Sequence, residues 1–264
     1  MRLAAFVVVA FGWSWAWWLP LTVAGRPIGF GELDTAYVAG IAGPLIAAVA
    51  VTAATGGRAG LRELVGRVVG VPLRWAVVAL AAPIALLAVV LFGAAVAGAP
   101  MPGAAAFGVA PGLPAMPVLL LWIYAVVWNG LGEEVGWRGW ALPHLLGRFS
   151  PLVASLVVSL IWAAWHLPLL PVLTSFAVMA HPAMLPVFWF GLACLSVVLT
   201  WLYQRSGSVA PAAILHGTYN VAAGTAAAQA GTNVAFTIAI MLIAVWLAAR
   251  RVTGPAGAPP VPRT

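Results

Sequence analysis

Residues 115–131 read AMPVLLLWIYAVVWNGL, an uncharged apolar run that leads through Gly132 into two adjacent carboxyl residues, Glu133 and Glu134. A helix needs about 20 apolar residues to cross the ~30 Å hydrocarbon core of a bilayer, and somewhat shorter runs also occur. The run has no polar stripe such as a helix on the surface of a soluble protein would show. The sequence here therefore predicts a membrane span that ends at an acidic pair.

The rest of the chain has the same apolar character. Of its 264 residues, 64% are hydrophobic and only 6% are charged, and the mean hydropathy is +1.08. A soluble domain carries about 25% charged residues because its surface must be hydrated. Eight runs are long enough to be spans, at residues 3–24, 36–55, 75–97, 115–131, 151–172, 183–203, 209–227 and 233–249.

These runs predict an all-α fold, a polytopic membrane helix bundle of about eight transmembrane helices. We expect one transmembrane helical domain over residues 1–252, with the polar motifs in a core at residues 115–227. The proline-rich segment at residues 253–264 predicts a disordered tail. The segment at residues 57–71 mixes arginine with leucine and valine, which fits either an amphipathic helix on the membrane surface or a charged loop.

The basic residues predict the orientation of the bundle. The formal net charge is +7, but the chain has no lysine and its arginines lie between apolar runs, which suits lipid head groups better than nucleic acid. When eight helices are threaded in alternation, every arginine except Arg26 falls on one side. Positively charged loops favour the cytoplasm. Both termini are therefore predicted to be cytoplasmic.

Ionisable side chains at membrane depth are the strongest functional signal. Each costs about 2.5–3.5 kcal/mol at the centre of a span and persists mainly where it has a partner or a function. Glu134 and Arg138 are four residues apart, the spacing at which helical side chains form ion pairs. Glu133 is rotated by about 100° from that pair. We expect Glu134 to be structural and Glu133 to be available as a base.

Two further polar groups lie in other spans. His166 follows Trp165 in the fifth run, and His216 and Asn220 share one helical face in the seventh. Two histidines and Glu133 could bind zinc with an open coordination position, or they could activate water directly. The residue types alone leave both alternatives open.

Several other polar residues are interpreted as lying outside a site. His144 and Arg148 are expected at the cytoplasmic interface, and His181 in an exposed external loop. The lone Cys194 lies in an apolar run and is expected to serve packing, and a single cysteine excludes an intramolecular disulfide. Asn129 lies four residues before the acidic pair, where it could hydrogen-bond Glu133 or serve packing.

Three motifs in this order resemble one family. The doubled Glu133 and Glu134 with Arg138 four residues after the second, then Trp162 with His166, then His216 with Asn220, are similar to the type II CAAX prenyl protease family. Its bacterial members include proteins linked to bacteriocin processing or immunity. The resemblance covers residues 128–220 and leaves the first three runs without a motif.

The resemblance implies a role for each motif residue. Glu133 and His166 would orient and deprotonate the attacking water. His216 and Asn220 would stabilise the developing oxyanion, a task that preorganised donors perform well in a water-poor cavity. In addition, Glu134 and Arg138 would brace the site. Apart from the resemblance, most of the fourteen tryptophans are expected in interface belts and helix packing, although Trp137, Trp162 and Trp165 could line a substrate groove.

The type II CAAX prenyl protease family is described as a family of metalloproteases. The resemblance therefore raises the question whether this chain binds a catalytic zinc ion. The ligands available for Zn2+ would be Glu133, His166 and His216, which would remove His216 from the oxyanion. The chain also lacks the His-Glu-x-x-His motif of many zinc peptidases. We therefore favour water activated by glutamate without an obligatory metal.

The expected activity is that of an intramembrane endopeptidase in a multi-pass cell membrane, for a bacterium the plasma membrane. Its partners would be the lipid bilayer and a membrane-associated peptide or prenylated protein, without nucleic acid. The alternatives are an inactive scaffold or bacteriocin-immunity factor on the same fold, or a small transporter, for which the sequence shows no internal repeat. We expect Glu133, His166, His216 and Asn220 to meet in a cavity open toward the cytoplasmic half of the bilayer.

Overall fold

The protein is an all-α bundle. The computed structural model describes residues 2–28, 35–110, 113, 115–174, 180–228 and 232–250. Across these ranges nine helices form and no β-strand does. The helices are α1 (Arg2–Ala24), α2 (Thr35–Ile41), α3 (Gly43–Val69), α4 (Leu73–Val96), α5 (Val118–Leu146), α6 (Pro151–Trp165), α7 (Leu185–Ser206), α8 (Val209–Gly224) and α9 (Thr232–Ala249). The predicted proline-rich tail lies outside the described residues.

Seven of the eight predicted runs each coincide with one long helix, and the second is divided between two helices. In the described part of the chain, five helical segments are long and apolar enough to cross a membrane: Arg2–Ala24, Gly43–Val69, Leu73–Val96, Val118–Leu146 and Pro182–Ser206. Helices α6, α8 and α9, which form at three other predicted runs, are shorter than these five segments. The predicted helical membrane bundle is confirmed, while its orientation stays a prediction.

The fourth span extends further than the sequence predicts. Helix α5 does not end at residue 131 but continues to Leu146, so that Glu133 and Glu134 lie in its interior. Two π-helical turns, Ala125–Leu131 and Trp137–Ala141, interrupt its α-helical segments on either side of the acidic pair. Such turns occur frequently at functional sites. The helix can continue because the buried carboxylates find partners within the bundle.

The second predicted span is divided. It forms the short α2 and the longer α3, which begins at Gly43 with a proline in its first turn, where the missing N–H costs nothing. Helix α3 kinks at Gly57, whose φ is 56°, and then continues to Val69. The predicted segment at residues 57–71 is therefore helical as far as Val69 rather than a charged loop. Its Glu63 and Arg67 form an ion pair at 2.7 Å on the surface.

Local signals set the ends of the helices around the site. Ser150 caps α6 by accepting a hydrogen bond from the backbone N–H of Val153, and Pro151 occupies the first helical position. Gly207 has a φ of 67°, which ends α7 in the left-handed conformation that glycine adopts without strain. The Ser208 hydroxyl then accepts from the N–H of Ala210 and starts α8.

Most arginine-bearing termini meet at one end of the bundle, which we call the arginine end. It contains the start of α1, the ends of α3, α5 and α7, and the start of α8. The Arg67 guanidinium donates to the carbonyl of Gly139 at 3.0 Å, and the Ser208 hydroxyl donates to the carbonyl of Arg67 at 3.1 Å. Phe6 of α1 stacks on Trp140 of α5, with ring centroids 4.7 Å apart. The arginine end thus agrees with the threading of the sequence.

Helices α5 and α8 approach closely because small residues face each other. A Cβ atom built on Gly217 would lie 2.6 Å from the backbone of Val126, closer than real Cβ contacts. Small residues allow such backbone contact between membrane helices.

We expect Gly217→Ala to lower the free energy of unfolding by about 1–3 kcal/mol, since the added methyl group overpacks a contact with rigid backbone. Thermal unfolding in detergent would measure the change. Gly12→Ala is the matched control, because a Cβ on Gly12 meets nothing within 4 Å. Equal melting temperatures for the two variants would contradict the close approach of α5 and α8.

Candidate active site

One cavity brings together the four residues predicted to be catalytic. It has a volume of about 720 Å³ and lies among α1, α2 and α5 to α9. Glu133, His166, His216 and Asn220 all line it. The first three are buried, with 4%, 8% and 3% of their surfaces exposed. Residues from α5 and α8 and from the end of α6 thus converge, as their motif spacing predicts.

Glu133 is held in place by the indole of Trp162. The Trp162 Nε1–H donates to Glu133 Oε2 at 2.6 Å, across 29 residues of sequence. A hydrogen bond to an ionised acceptor is stronger than one between neutral groups. The contact fixes the carboxyl group of α5 against α6 and orients it along the cavity wall.

His166 has a defined tautomer. Its Nδ1 lies 2.8 Å from the Trp162 carbonyl oxygen, which can only accept a hydrogen bond. Nδ1 must therefore carry the proton, and in the neutral ring Nε2 is an acceptor. Helix α6 ends at Trp165, just before this histidine, and Pro168 prevents its regular continuation. The imidazole is thereby set at the end of a rigid helix.

Glu134 is the centre of a buried ionic network behind the cavity. Its carboxylate contacts Arg138 Nη1 at 2.9 Å and His216 Nδ1 at 2.9 Å. Glu134 and Arg138 are both 0% exposed and do not line the cavity. The ion pair at four-residue spacing is present as predicted. The contact with His216, 82 residues away, ties α5 to α8.

Trp162 contacts most members of the site. Besides holding Glu133, its ring lies 5.0 Å from the Arg138 guanidinium and 5.4 Å from the His216 ring. A guanidinium over an indole face is a favourable cation–π contact. The sequence predicts Trp162 as a wall of the substrate groove, and it does line the cavity. The structure shows in addition that it connects the carboxylate, the guanidinium and both histidines.

The other two tryptophans assigned to the groove differ in position. Trp165 lines the cavity, and its Nε1–H donates to the Ser14 hydroxyl at 2.7 Å. Trp137 is fully buried, packs edge-on against Trp165 and Phe6, and is not among the residues that line the cavity. The π-helical turn that begins at Trp137 directs this ring into the core between α1 and α5.

The first helices contribute residues that the motif analysis missed. Trp18 of α1 and Tyr37 and Ile41 of α2 line the cavity. Ser14 is fully buried and passes the hydrogen bond of Trp165 on to the carbonyl of Gly40 at 2.7 Å. The serine at position 14, between tryptophans in an otherwise apolar span, is the sequence feature that could have indicated this buried hydrogen bond.

Residues set aside by the sequence lie away from the cavity, with one exception. His144 stacks on Trp140 and its Nδ1 lies 2.7 Å from that residue's carbonyl oxygen, near the arginine end. His181 is exposed, and Cys194 is a buried free thiol. The exception is Asn129, which is buried and lines the cavity together with Glu133.

The residues do not fit a zinc site in this conformation. No group of three histidine, cysteine or carboxyl side chains lies close enough to hold a metal ion in the part of the chain that the structure describes. A catalytic zinc usually takes three protein ligands. His216 Nδ1 contacts Glu134, and Glu133 Oε2 accepts from Trp162, so two of the three expected ligands are oriented by other partners.

The cavity lies mainly away from the arginine end. Its lining comes from the second half of α1 and α8, the first half of α7 and α9, and residues at and just after the end of α6, together with residues of α2 and the middle of α5. The predicted opening toward the cytoplasmic half of the bilayer stays a prediction, as does the orientation of the bundle.

Comparison with known proteins agrees with the geometry. Residues 114–222 match the family model described as type II CAAX prenyl endopeptidase, Rce1-like. A curated protein of Methanococcus maripaludis named CAAX prenyl protease 2 is 29% identical over 136 residues, 49% of this chain and 48% of that relative. The chain thus matches about half the length of this relative. The resemblance to the type II CAAX prenyl endopeptidases is confirmed for residues 114–222, which contain Glu133, His166, His216 and Asn220.

Proposed function

We propose that this protein is an intramembrane endopeptidase that hydrolyses a peptide bond of a membrane-associated substrate. The observation that carries the proposal is the meeting of Glu133, His166, His216 and Asn220 in one cavity. A carboxyl group, two imidazoles and an amide around one space supply a base and hydrogen-bond donors, which is what amide hydrolysis requires.

Glu133 and His166 would activate the attacking water. Because Nδ1 of His166 donates to a backbone carbonyl, its Nε2 can accept a hydrogen bond from that water. Glu133 would take the water proton while the water oxygen bonds to the carbonyl carbon of the substrate. The same proton would then pass to the amide nitrogen as the C–N bond breaks, which regenerates the carboxylate.

His216 and Asn220 would stabilise the negative charge that develops on the substrate oxygen. His216 already contacts Glu134 through Nδ1, so an N–H toward the oxyanion must come from Nε2 and requires the doubly protonated ring. The carboxylates of Glu133 and Glu134 favour that charged form. The amide of Asn220 supplies a neutral second donor.

The membrane character of the fold and the names of its relatives support a proposal for the substrate and the location. The relatives are named for CAAX prenyl substrates. We propose a membrane-associated peptide or protein as the substrate, prenylated or not, and the plasma membrane of a bacterium as the location. Most of the chain would then be solvated by lipid, as its exposed apolar side chains require.

Cleavage of a peptide library by the purified protein tests the activity. We expect the full chain in nanodiscs to cut an apolar peptide, with and without a prenyl group, and mass spectrometry to identify the new termini. His181→Ala is the control, because His181 is exposed outside the cavity. A wild-type chain that folds but cuts no peptide would favour the inactive scaffold.

Removal of metal tests the mechanism. We expect treatment with a strong chelator, followed by elemental analysis, to leave the cleavage rate unchanged, since Glu133 activates the water directly. Loss of activity that stoichiometric zinc restores would contradict this expectation. Glu133, His166 and His216 would then have to rearrange into a ligand set, which the buried contact between His216 and Glu134 opposes.

A further inference from the structure

We infer that Trp162 is a positioning residue for the general base. Its indole N–H holds one carboxyl oxygen of Glu133, Oε2, so that the other oxygen, Oε1, takes the proton of the attacking water. The inference rests on the proposed function, because a general base has a meaning only in an enzyme. The hydrogen bond that carries it is a property of the fold and can be measured without any cleavage.

The indole of Trp162 decides which oxygen of Glu133 can carry a proton. Trp162 Nε1 lies 2.6 Å from Glu133 Oε2, and the two residues are only 2% and 4% exposed. An indole N–H can donate a hydrogen bond but cannot accept one, whereas a protonated carboxyl group has one donor oxygen and one acceptor oxygen. While this bond is kept, Oε2 must therefore stay an acceptor in both forms of Glu133. A proton on the carboxyl group has to sit on Oε1.

The oxygen Oε1 is the one available to water. The hydrogen bond from Trp162 engages Oε2, and no residue in the described part of the chain donates to Oε1. Glu133 and His166 line the same cavity, and His166 keeps Nε2 for the same water. One proton of the water would pass to Oε1 as the water oxygen bonds to the substrate carbonyl carbon. Oε1 would return that proton to the amide nitrogen as the C–N bond breaks.

The indole is itself held firmly, so it can serve as a reference point for the carboxyl group. Its ring lies 5.0 Å from the Arg138 guanidinium and 5.4 Å from the His216 ring. The backbone carbonyl of Trp162 lies 2.8 Å from His166 Nδ1. Any residue at position 162 supplies that carbonyl. A change of the side chain therefore leaves the His166 contact in place and removes the hydrogen bond to Glu133.

Two substitutions at position 162 test the role of the N–H. Trp162→Phe keeps an aromatic ring, and Trp162→benzothienylalanine keeps the shape of the indole with sulfur in place of the N–H. We expect both to lower kcat by about 10- to 100-fold with KM unchanged, since a small displacement of a catalytic group costs up to about 100-fold. The benzothienylalanine protein should also keep the wild-type melting temperature. A wild-type kcat in that protein would overturn the inference.

Trp189→Phe is the matched control. The Trp189 indole also donates to α6, to the Ser159 hydroxyl at 3.2 Å, but Trp189 does not line the cavity. This variant should cleave at the wild-type rate. A loss of kcat equal to that of Trp162→Phe would show that loss of an indole contact between α6 and its neighbours is sufficient, and it would overturn the positioning role.

The combination of Trp162→Phe with Glu133→Gln distinguishes positioning from general support of the fold. With no base to position, the loss of the indole N–H should cost nothing more. We therefore expect the double variant to show the single-turnover rate of Glu133→Gln alone. A further loss as large as that of Trp162→Phe in the wild-type background would overturn the inference.

A spectroscopic measurement separates this inference from the proposed function. Proton–nitrogen spectra of the full chain, with isotope-labelled tryptophan in nanodiscs, identify the Trp162 indole by its loss in Trp162→Phe. We expect Glu133→Gln to move this resonance, because it replaces a charged acceptor by a neutral one and so weakens the hydrogen bond. An unmoved resonance would overturn the inference whether or not the protein cleaves. Cleavage with a wild-type kcat in Trp162→Phe would overturn it and retain the protease. A wild type that cleaves nothing would reject the protease, and the resonance would still decide whether Trp162 holds Glu133.

Discussion

Glu133→Gln is expected to reduce peptide cleavage by about 100- to 10,000-fold, the usual contribution of a general base. The amide has nearly the shape of the carboxylate, and its oxygen can still accept the hydrogen bond from Trp162 Nε1. It cannot take a proton from water at neutral pH. Single-turnover cleavage of a library-selected peptide would measure the loss, with the melting temperature recorded in parallel.

Glu63→Gln is the matched control for this change. Glu63 is the glutamate of the exposed pair with Arg67, and its side chain is 43% exposed. The same chemical substitution there should leave cleavage at the wild-type rate. A Glu133→Gln protein with wild-type activity would remove Glu133 from the proposed mechanism and make His166 the base to test next.

Much of the fold could be predicted because membrane spans are encoded locally. A run of about 20 apolar residues leaves few alternatives to a helix in lipid, where backbone groups must pair within the segment. Each predicted run is therefore helical, although the second is divided between α2 and α3. The convergence of His166 and His216 with Glu133 also followed, because buried ionisable groups in one bundle need partners.

The end of α5 could not be predicted from local sequence. Charged residues after residue 131 are normal at a membrane interface, so the acidic pair indicated a helix end. The pair is instead buried in the bundle because Glu134 meets His216 from α8, a contact across 82 residues. No local pattern reports a partner at that distance.

The half of the bundle that contains the cavity and the position of Trp137 could not be predicted, for a related reason. The motifs identify side chains, but they do not show beside which half of each helix the cavity lies. Similarly, an indole near a catalytic pair can face the cavity or the core, and the π-helical turn at Trp137–Ala141 turns this one into the core. Both depend on packing between segments that are distant in sequence.

Glu134→Gln is expected to have the largest effect on stability. The substitution leaves the guanidinium of Arg138, which is 0% exposed, without its carboxylate, and it removes the charged partner of His216. Breaking a buried ion pair by neutralising one member costs about 3–5 kcal/mol, because the other charge stays buried. Chemical or thermal unfolding in detergent would measure this loss, together with reduced cleavage as His216 loses its orientation.

The surface ion pair between Glu63 and Arg67 is the control for the buried ion pair in that experiment. Glu63 and Arg67 have the same four-residue spacing on the surface of α3, where an ion pair contributes about 0–1 kcal/mol. Glu63→Gln should therefore shift the melting temperature far less than Glu134→Gln. Adding Arg138→Met to Glu134→Gln should recover part of the stability, since no charge remains buried. It should not recover cleavage, because His216 still lacks its carboxylate. Equal losses at the buried and the exposed pair would show that Glu134 does not brace the site electrostatically.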